Sequence, residues 1–336
     1  MNAVGTPEKY TVEVSMLGPS GAGKTSLLAS MYAQYARLIG ATDLELTPVG
    51  DTAVRLSDAV ARLKSLSRSV QVRDGVDGTA ASGLHRYLIA VGRKGRKPRF
   101  TLRFTDYAGG LLRRRDGDPV GGQVRQALAN SPVILLAVDT AALMEQDGLY
   151  HERINEPHLM YEQIKELLQE DGRNRLLIIV PLKCEKYVGT EAGARLLLDR
   201  VRAGYKPLLD HVAHPEVRPR VGCVVVPVQT TGSIVFSSVT EDAEGGVRFH
   251  YRSRRPGAPY EPVHTDQPLR YALRFVLNTY RDRRGVWREM VDGLSSTDEA
   301  LRAAIGSFAD GAAAGPGIQV LQDHAHLAAV PAAAGR

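Results

Sequence analysis

Gly18-Pro-Ser-Gly-Ala-Gly-Lys-Thr25 is the stretch that decides the fold. It follows the strand-like run Tyr10 to Leu17 and precedes an apolar helical pattern that opens at Ser26. Glycines let such a loop wrap a phosphate with its backbone N–H groups, and the positive end of the next helix points at the same anion. Lys24 can reach the β- and γ-phosphates, and the Thr25 hydroxyl can bind Mg²⁺. The residues predicted to contact a nucleoside triphosphate here are Gly18, Ser20, Gly21, Ala22, Gly23, Lys24, Thr25 and Ser26.

The composition is that of a globular protein. With 336 residues, 43% hydrophobic and 24% charged, the chain has room for one large domain or two ordinary ones. The net charge of +6 comes from scattered basic residues, which does not favour direct nucleic-acid binding. No apolar run is long enough to span a bilayer and residues 1–9 lack a signal pattern, so we expect a cytoplasmic protein without a membrane span. Cys184 and Cys223, at or near strand-like runs, are expected to be small buried hydrophobes.

Apolar strands alternate with amphipathic helices along most of the chain. The predicted strands lie at about 10–17, 84–92, 99–106, 132–139, 175–182 and 220–228. The predicted helices lie at about 24–39, 120–130, 156–170, 191–212, 269–283 and 286–308, with one more inside residues 40–83. The strands at 84–92 and 99–106 are consecutive and joined by a basic turn, which predicts an antiparallel hairpin. A second hairpin is expected at about 233–252.

This alternation predicts one main domain over residues 1–285, with insertions at about 40–83 and 233–268. A C-terminal helix is expected within 286–310. Residues 311–336 are rich in Ala, Gly and Pro, and we expect them to form a disordered tail.

A second motif, Phe104-Thr105-Asp106-Tyr107-Ala108-Gly109-Gly110, ends the first hairpin. A carboxylate at the end of an apolar strand is what a Mg²⁺ site needs, so Asp106 is predicted to bind the metal together with Thr25. Gly109 lets a backbone N–H meet a γ-phosphate. The residue after Asp106 is Tyr107, whereas motor-like ATPases place a catalytic Glu directly after this Asp.

With the phosphate loop followed by a hairpin that ends in Asp106, the chain resembles the Ras-like and translation-factor-related GTPases. The resemblance covers roughly residues 10–232 and the helix after 268. It implies an α/β fold of the P-loop NTPase type, with a mostly parallel six-stranded sheet, one antiparallel hairpin formed by the second and third strands, helices on both faces and insertions. The implied cofactors are Mg²⁺ and GTP or GDP.

The resemblance also implies where a guanine base would be read. The family uses [NT]-K-x-D after the fifth strand, and this chain has Leu182-Lys183-Cys184-Glu185 there. Lys183 fits the pattern, Glu185 replaces the usual Asp, and Leu182 replaces Asn or Thr. We take Lys183 and Glu185 as candidate guanine contacts; the alternative is an ordinary exposed Lys/Glu pair. Gln229 to Ser233 stands in the place of the family's last base-contacting loop.

The sequence offers fewer candidate residues for hydrolysis than for nucleotide binding. The predicted catalytic residues are Lys24, Gly109 and a hydroxyl that ligates Mg²⁺ shortly before the strand at 84, for which Thr79 is the first choice and Ser82 the second. Many family members place a water-orienting Gln where this chain has Gly110. An arginine from residues 113–115 or from a partner could supply charge stabilisation; the alternative for that run is a solvated or partner-facing loop.

Within the family, the chain is most similar to the bacterial double-GTPase proteins associated with conflict systems, in its phosphate loop, its T-D-Y-A-G-G run, its degenerate base motif and its long insertions. We therefore expect a guanine-nucleotide switch with slow Mg²⁺-dependent hydrolysis. It would regulate a protein partner, such as another GTPase or an activator. The alternatives are an ATP-using ATPase or kinase of the same loop class, and a nucleotide-bound interaction module that does not hydrolyse.

Overall fold

The computed structural model describes residues 11–38, 42–68, 71–72, 84–107, 119–170, 172–243, 246–282, 297–312, 315 and 317–328. The strands are β1 (Thr11–Leu17), β2 (Leu44–Pro48), β3 (Gln71–Val72), β4 (Leu84–Arg93), β5 (Phe100–Tyr107), β6 (Val133–Asp139), β7 (Arg175–Leu182), β8 (Val221–Val225), β9 (Ile234–Glu241), β10 (Val247–Ser253) and β11 (Gln319–Gln322). The helices are α1 (Lys24–Leu38), α2 (Thr52–Arg68), α3 (Pro119–Asn130), α4 (Thr140–Met144), α5 (His151–Asn155), α6 (Pro157–Glu170), α7 (Glu191–Gly204), α8 (Lys206–Val212), α9 (Gln267–Asp282) and α10 (Thr297–Asp310). None of the helices in these ranges is both long enough and apolar enough to cross a membrane.

Within the described residues, the main sheet has eight strands in the order β11-β8-β7-β6-β1-β5-β4-β2. The five central strands, from β8 to β5, are parallel to one another. β4 pairs with β5 as the predicted antiparallel hairpin, and β2 and β11 are antiparallel edge strands. The α/β fold class predicted from the sequence is confirmed.

Helices cover both faces of this sheet. Along β6, Val133, Leu135 and Ala137 face one core, which α1, α9 and α10 complete. Ile134, Leu136 and Val138 face the other core, with α6, α7 and α8. Parallel strands buried on both faces read as continuous apolar runs, which is why β6 and β7 were visible in the sequence.

The strand count differs from the six strands expected. The first insertion contributes β2 as well as the predicted helix, here α2, in which Leu56 and Leu63 are buried. β2 pairs with β4 and extends the sheet at one edge. Since a five-residue edge strand has little periodicity to detect, the sequence pattern did not reveal it.

The prediction of a disordered tail from Gly311 does not hold for residues 317–328. β11 pairs with β8, and a 3₁₀ turn at Ala325–Leu327 follows it. The Asn278 side chain of α9 donates hydrogen bonds to the carbonyls of His326 and Ala328, each 3.0 Å long. This segment is ordered because the Asn278 side chain hydrogen-bonds two of its backbone carbonyls and because Leu327 is buried.

The expected helix at 191–212 is divided into α7 and α8 at Tyr205. Pro207 stands in the first turn of α8, and proline has no N–H to donate inside a continuous helix. The apolar residues at helical spacing in this range nevertheless all face the same core, because α8 continues on the same face of the sheet; they are Leu198, Val201, Tyr205, Leu208 and Val212.

The two insertions meet in a second, three-stranded sheet of order β3-β10-β9. β9 and β10 form the predicted second hairpin. β3, from the first insertion, adds to β10 through Gln71 and Val72. Segments far apart in the sequence therefore come together beside the main sheet.

Candidate nucleotide-binding site

The phosphate loop connects β1 to α1 in the middle of the main sheet, between β5 and β6. Gly18 has φ +129°, and a Cβ there would lie 2.4 Å from the carbonyl oxygen of Ala137 in β6. Gly23 has φ +105°, which side chains disfavour. The loop thus needs glycine at both positions, and its backbone is left free to approach an anion at the start of α1.

The Lys24 side chain is folded back into this loop. Its Nζ donates to the carbonyl oxygens of Gly18 and Pro19, both at 3.0 Å. It lies 3.6 Å from Asp106 Oδ1. Burial lowers the pKa of Lys24, and the Asp106 carboxylate opposes that shift. An anion at the loop would offer this buried ammonium a strong new partner.

Asp106 and Thr25 face each other across the loop. The register of β1 and β5 places Asp106 beside Met16, two residues before the loop begins. The Thr25 hydroxyl donates to Asp106 Oδ2 at 3.3 Å, and the carboxylate is fully buried. Burial raises the pKa of Asp106, while Lys24 opposes the rise. A hydroxyl and a carboxylate oxygen side by side fit the ligand preference of Mg²⁺.

Lys183 lies after β7 in a left-handed conformation with φ +56°. Its Nζ donates to Asp139 Oδ2 at 2.7 Å and lies 5.4 Å from the ring centre of Tyr251. Asp139 ends β6 and also accepts from the backbone N–H of Ala142, which caps α4. Lys183 is therefore fixed by an ion pair on one side and by an aromatic ring on the other.

Glu185 is buried, in contrast to the alternative of an ordinary exposed pair. Its Oε1 accepts from the Thr231 N–H at 3.1 Å, the Thr231 hydroxyl at 3.0 Å and the Gly232 N–H at 3.4 Å. Burial raises the pKa of Glu185, although these bonds oppose the rise. The carboxylate joins the first base loop (residues 182–185) to the second (residues 229–233), and all three bonds fall on one oxygen.

A pocket separates the phosphate loop from these base loops. Ala22, Gly23 and Ser26 line it on the phosphate side, and Lys183, Glu185 and Thr231 line it on the other. Leu182 also lines it, and a Cβ on Gly23 would lie 3.7 Å from the Leu182 side chain. Of the predicted contact residues, Ala22, Gly23 and Ser26 share this pocket with Lys183 and Glu185.

Three groups of predicted residues lie outside the described part of the chain. These are Thr79 with its alternative Ser82, Gly109 with the following Gly110, and the arginines at 113–115. Their assignments stay predictions.

Sequence reasoning missed Asp139, Tyr251 and Arg254. Asp139 ends an apolar strand as Asp106 does, and that position in the sequence could have identified it as a candidate site residue. The Arg254 side chain donates to the backbone carbonyl of Glu185 at 2.8 Å. Tyr251 and Arg254 belong to an insertion, and no local pattern connects them to the base loops.

A family model, Double-GTPase 2, matches residues 13–217, which is more than half of the chain. The chain belongs to the Double-GTPase 2 family. Membership confirms the resemblance to P-loop GTPases, and it supports a GTP-binding P-loop protein. The matched range of the Double-GTPase 2 model contains the phosphate loop, Asp106 and the first base loop.

Solved structures that resemble the chain include the S. cerevisiae Ski7 GTPase-like domain. Its GTP-bound form is 13% identical with a TM-score of 0.41, and the match covers 66% of this chain and 43% of that one. The form bound to GDP and inorganic phosphate gives the same identity and coverage with a TM-score of 0.38. The chain thus spans less than half of the length of these structures. A search of curated proteins finds no match.

Proposed function

We propose that this protein is a guanine-nucleotide switch that binds GTP in preference to ATP, hydrolyses it slowly with Mg²⁺, and regulates a protein partner. The observation that carries the proposal is the buried Glu185 carboxylate in the pocket beside the phosphate loop. Its Oε1 accepts from Thr231 and Gly232, and in this proposal the carboxylate also accepts from the guanine N–H donors. Adenine offers no matching pair of donors at that edge.

In this proposal Lys24, Lys183 and the pair Thr25 and Asp106 each contact a different part of the bound nucleotide and its metal ion. Lys24 would exchange its bonds to Gly18 and Pro19 for phosphate oxygens. Thr25 and Asp106 would hold Mg²⁺, which supplies charge neutralisation between the phosphates. Lys183, fixed by Asp139, would lay its aliphatic stem along the base.

The preference for GTP gives a direct test. With Mg²⁺ present, GTP is expected to raise the melting temperature more than ATP at equal concentration. A ligand at one hundred times its Kd adds about 2.7 kcal/mol to the free energy of unfolding. Differential scanning fluorimetry with GTP, ATP, each with EDTA, and no nucleotide measures the effect. Equal shifts with GTP and ATP would favour an ATP-using protein of the same loop class.

Slow hydrolysis is the second expectation. Gly110 offers no side chain to orient water, so we expect the purified protein to turn over GTP well below one per second. Arginines supplied by partners raise such rates by about 10³ to 10⁵. Single-turnover measurement of phosphate release checks this. Several turnovers per second without a partner would mean that a residue of this chain, such as one of the arginines at 113–115, completes the site.

A regulated partner follows from the proposed switch. We place it, in line with the resemblance to the bacterial double-GTPase proteins of conflict systems, as another GTPase or an activator of this one. Capture experiments with the GTP-loaded and GDP-loaded protein test the idea, because a switch partner must prefer one nucleotide state.

A further inference from the structure

The two insertions pack against each other next to the nucleotide pocket. Leu66, near the end of α2, packs on a cluster that contains Ile234, Phe236 and Tyr251 of the β9–β10 hairpin. The backbone pairing of β3 with β10 joins the same two segments. Side chains of α2 and of the β9–β10 hairpin are therefore packed against each other.

Four apolar side chains from α2 and the β9–β10 hairpin line the pocket. Leu63 and Leu66 come from α2, Ile234 from β9 and Tyr251 from β10. We call these four the apolar wall. It stands in the pocket that Lys183 and Glu185 share, where the proposed function places a nucleobase. Apolar and aromatic groups of this kind favour the planar face of a base.

The hairpin is also tied to both base loops. Arg254, directly after β10, donates to the Glu185 carbonyl at 2.8 Å. The Glu261 N–H donates to the Thr231 carbonyl at 3.0 Å, and Val263 pairs with Gln229. Arg254 and the segment that follows the hairpin therefore connect this insertion to the loops proposed to read the base.

We propose that the apolar wall covers the bound nucleobase and controls how fast the nucleotide leaves. Release requires the α2 side chains to part from the hairpin, so the contact between the insertions sets the dissociation rate. The inference rests on the proposed function to the extent that a nucleotide occupies this pocket. A change in contacts of this kind alters mainly the dissociation rate and has less effect on the association rate.

The Tyr251 ring, and not its hydroxyl, is the relevant part of that residue. Tyr251 is buried, and its hydroxyl has no hydrogen-bond partner within the described part of the chain. The ring lies against Lys183 and in the contact with Leu66. Loss of the ring should therefore matter more than loss of the oxygen.

The test is a displacement experiment on the full chain. Protein is loaded with N-methylanthraniloyl-GDP and Mg²⁺, and the fall in fluorescence is followed after excess unlabelled GDP is added. Leu66→Ala is expected to speed release at least about tenfold, the factor that corresponds to 1.4 kcal/mol. Val54→Ala, on the same helix but 63% exposed and absent from the pocket, is the matched control and should release at the wild-type rate.

A second pair of variants separates ring from hydroxyl. Release from Tyr251→Leu should be at least about fivefold faster than release from Tyr251→Phe, on the same scale of tenfold per 1.4 kcal/mol. Circular dichroism on every variant identifies any that fails to fold. Wild-type release from well-folded Leu66→Ala, or equal release from the two Tyr251 variants, would overturn the inference.

The design also distinguishes failure of the inference from failure of the proposed function. Wild-type protein that retains labelled ADP and not labelled GDP would refute guanine preference, and the same chase with labelled ADP would then test the wall. Wild-type protein that retains neither nucleotide would overturn both. If the wild-type protein retains labelled GDP and Leu66→Ala releases it at the same rate, only the inference about the apolar wall would be overturned.

Discussion

Replacing Lys24 with alanine is expected to weaken GTP binding by at least about a hundredfold. Lys24 Nζ is buried and bonded to the Gly18 and Pro19 carbonyls, so its charge is held where the phosphates would lie. Hydrogen bonds to charged groups contribute about 1.5–3 kcal/mol each, and 1.4 kcal/mol is tenfold in affinity. Isothermal titration calorimetry with GTP and Mg²⁺ measures the loss.

Two further variants make the Lys24 result interpretable. Lys24→Met keeps most of the aliphatic stem and should lose binding just as Lys24→Ala does, which separates the charge from packing. Lys97→Ala removes the same charge from the exposed turn between β4 and β5 and should bind GTP as the wild type does. If Lys24→Met binds within a few fold of the wild type, the phosphate loop has been assigned wrongly.

Replacing Glu185 with glutamine is expected to remove the preference for GTP over ATP. The amide oxygen can still accept from Thr231, which preserves the join between the two base loops. The amide NH₂ would then point at the guanine N–H donors, and donors left unsatisfied when buried cost about 1–3 kcal/mol. GTP affinity should fall about ten- to a hundredfold while ATP affinity stays the same. Competition of each nucleotide against a labelled one gives both values.

Glu185→Asp is the matched comparison, since it keeps the acid and restores the residue that the family pattern carries. It should retain more of the preference than Glu185→Gln, although the shorter side chain will weaken the bonds to Thr231. A Glu185→Gln protein with an unaltered ratio of GTP to ATP affinity would show that this carboxylate serves only to hold Thr231 and Gly232 in place.

The sequence revealed the parts of the site that depend on local chemistry. The glycines at 18 and 23 are needed for backbone reasons, and Asp106 stands out at the end of an apolar strand. Both are properties of a few consecutive residues. Lys183 and Glu185 do not stand out by local chemistry. They were identified because the resemblance to the GTPases implies a base-contacting motif after the fifth strand.

The rest of the site depends on contacts between distant segments. The Glu185 carboxylate accepts hydrogen bonds from Thr231 and Gly232, 46 and 47 residues later. The position of Lys183 is set by Asp139, 44 residues earlier. Periodicity reports which face of an element is apolar, but it carries no information on which insertion will meet which. The edge strands β2 and β11 were not predicted for the same reason. Each is short, and its position depends on pairing with a strand that is distant in the sequence.

The pairing of β11 with β8 has a consequence for synthesis on the ribosome. β8 is complete once residue 225 is made, but its partner at 319–322 follows about a hundred residues later, which takes roughly 5–20 s at about 5–20 residues per second. During that interval the β8 edge has no strand beside it, and an open edge is a template for another chain. The nascent protein therefore carries this open edge late in translation, after the phosphate loop and both base loops have been made.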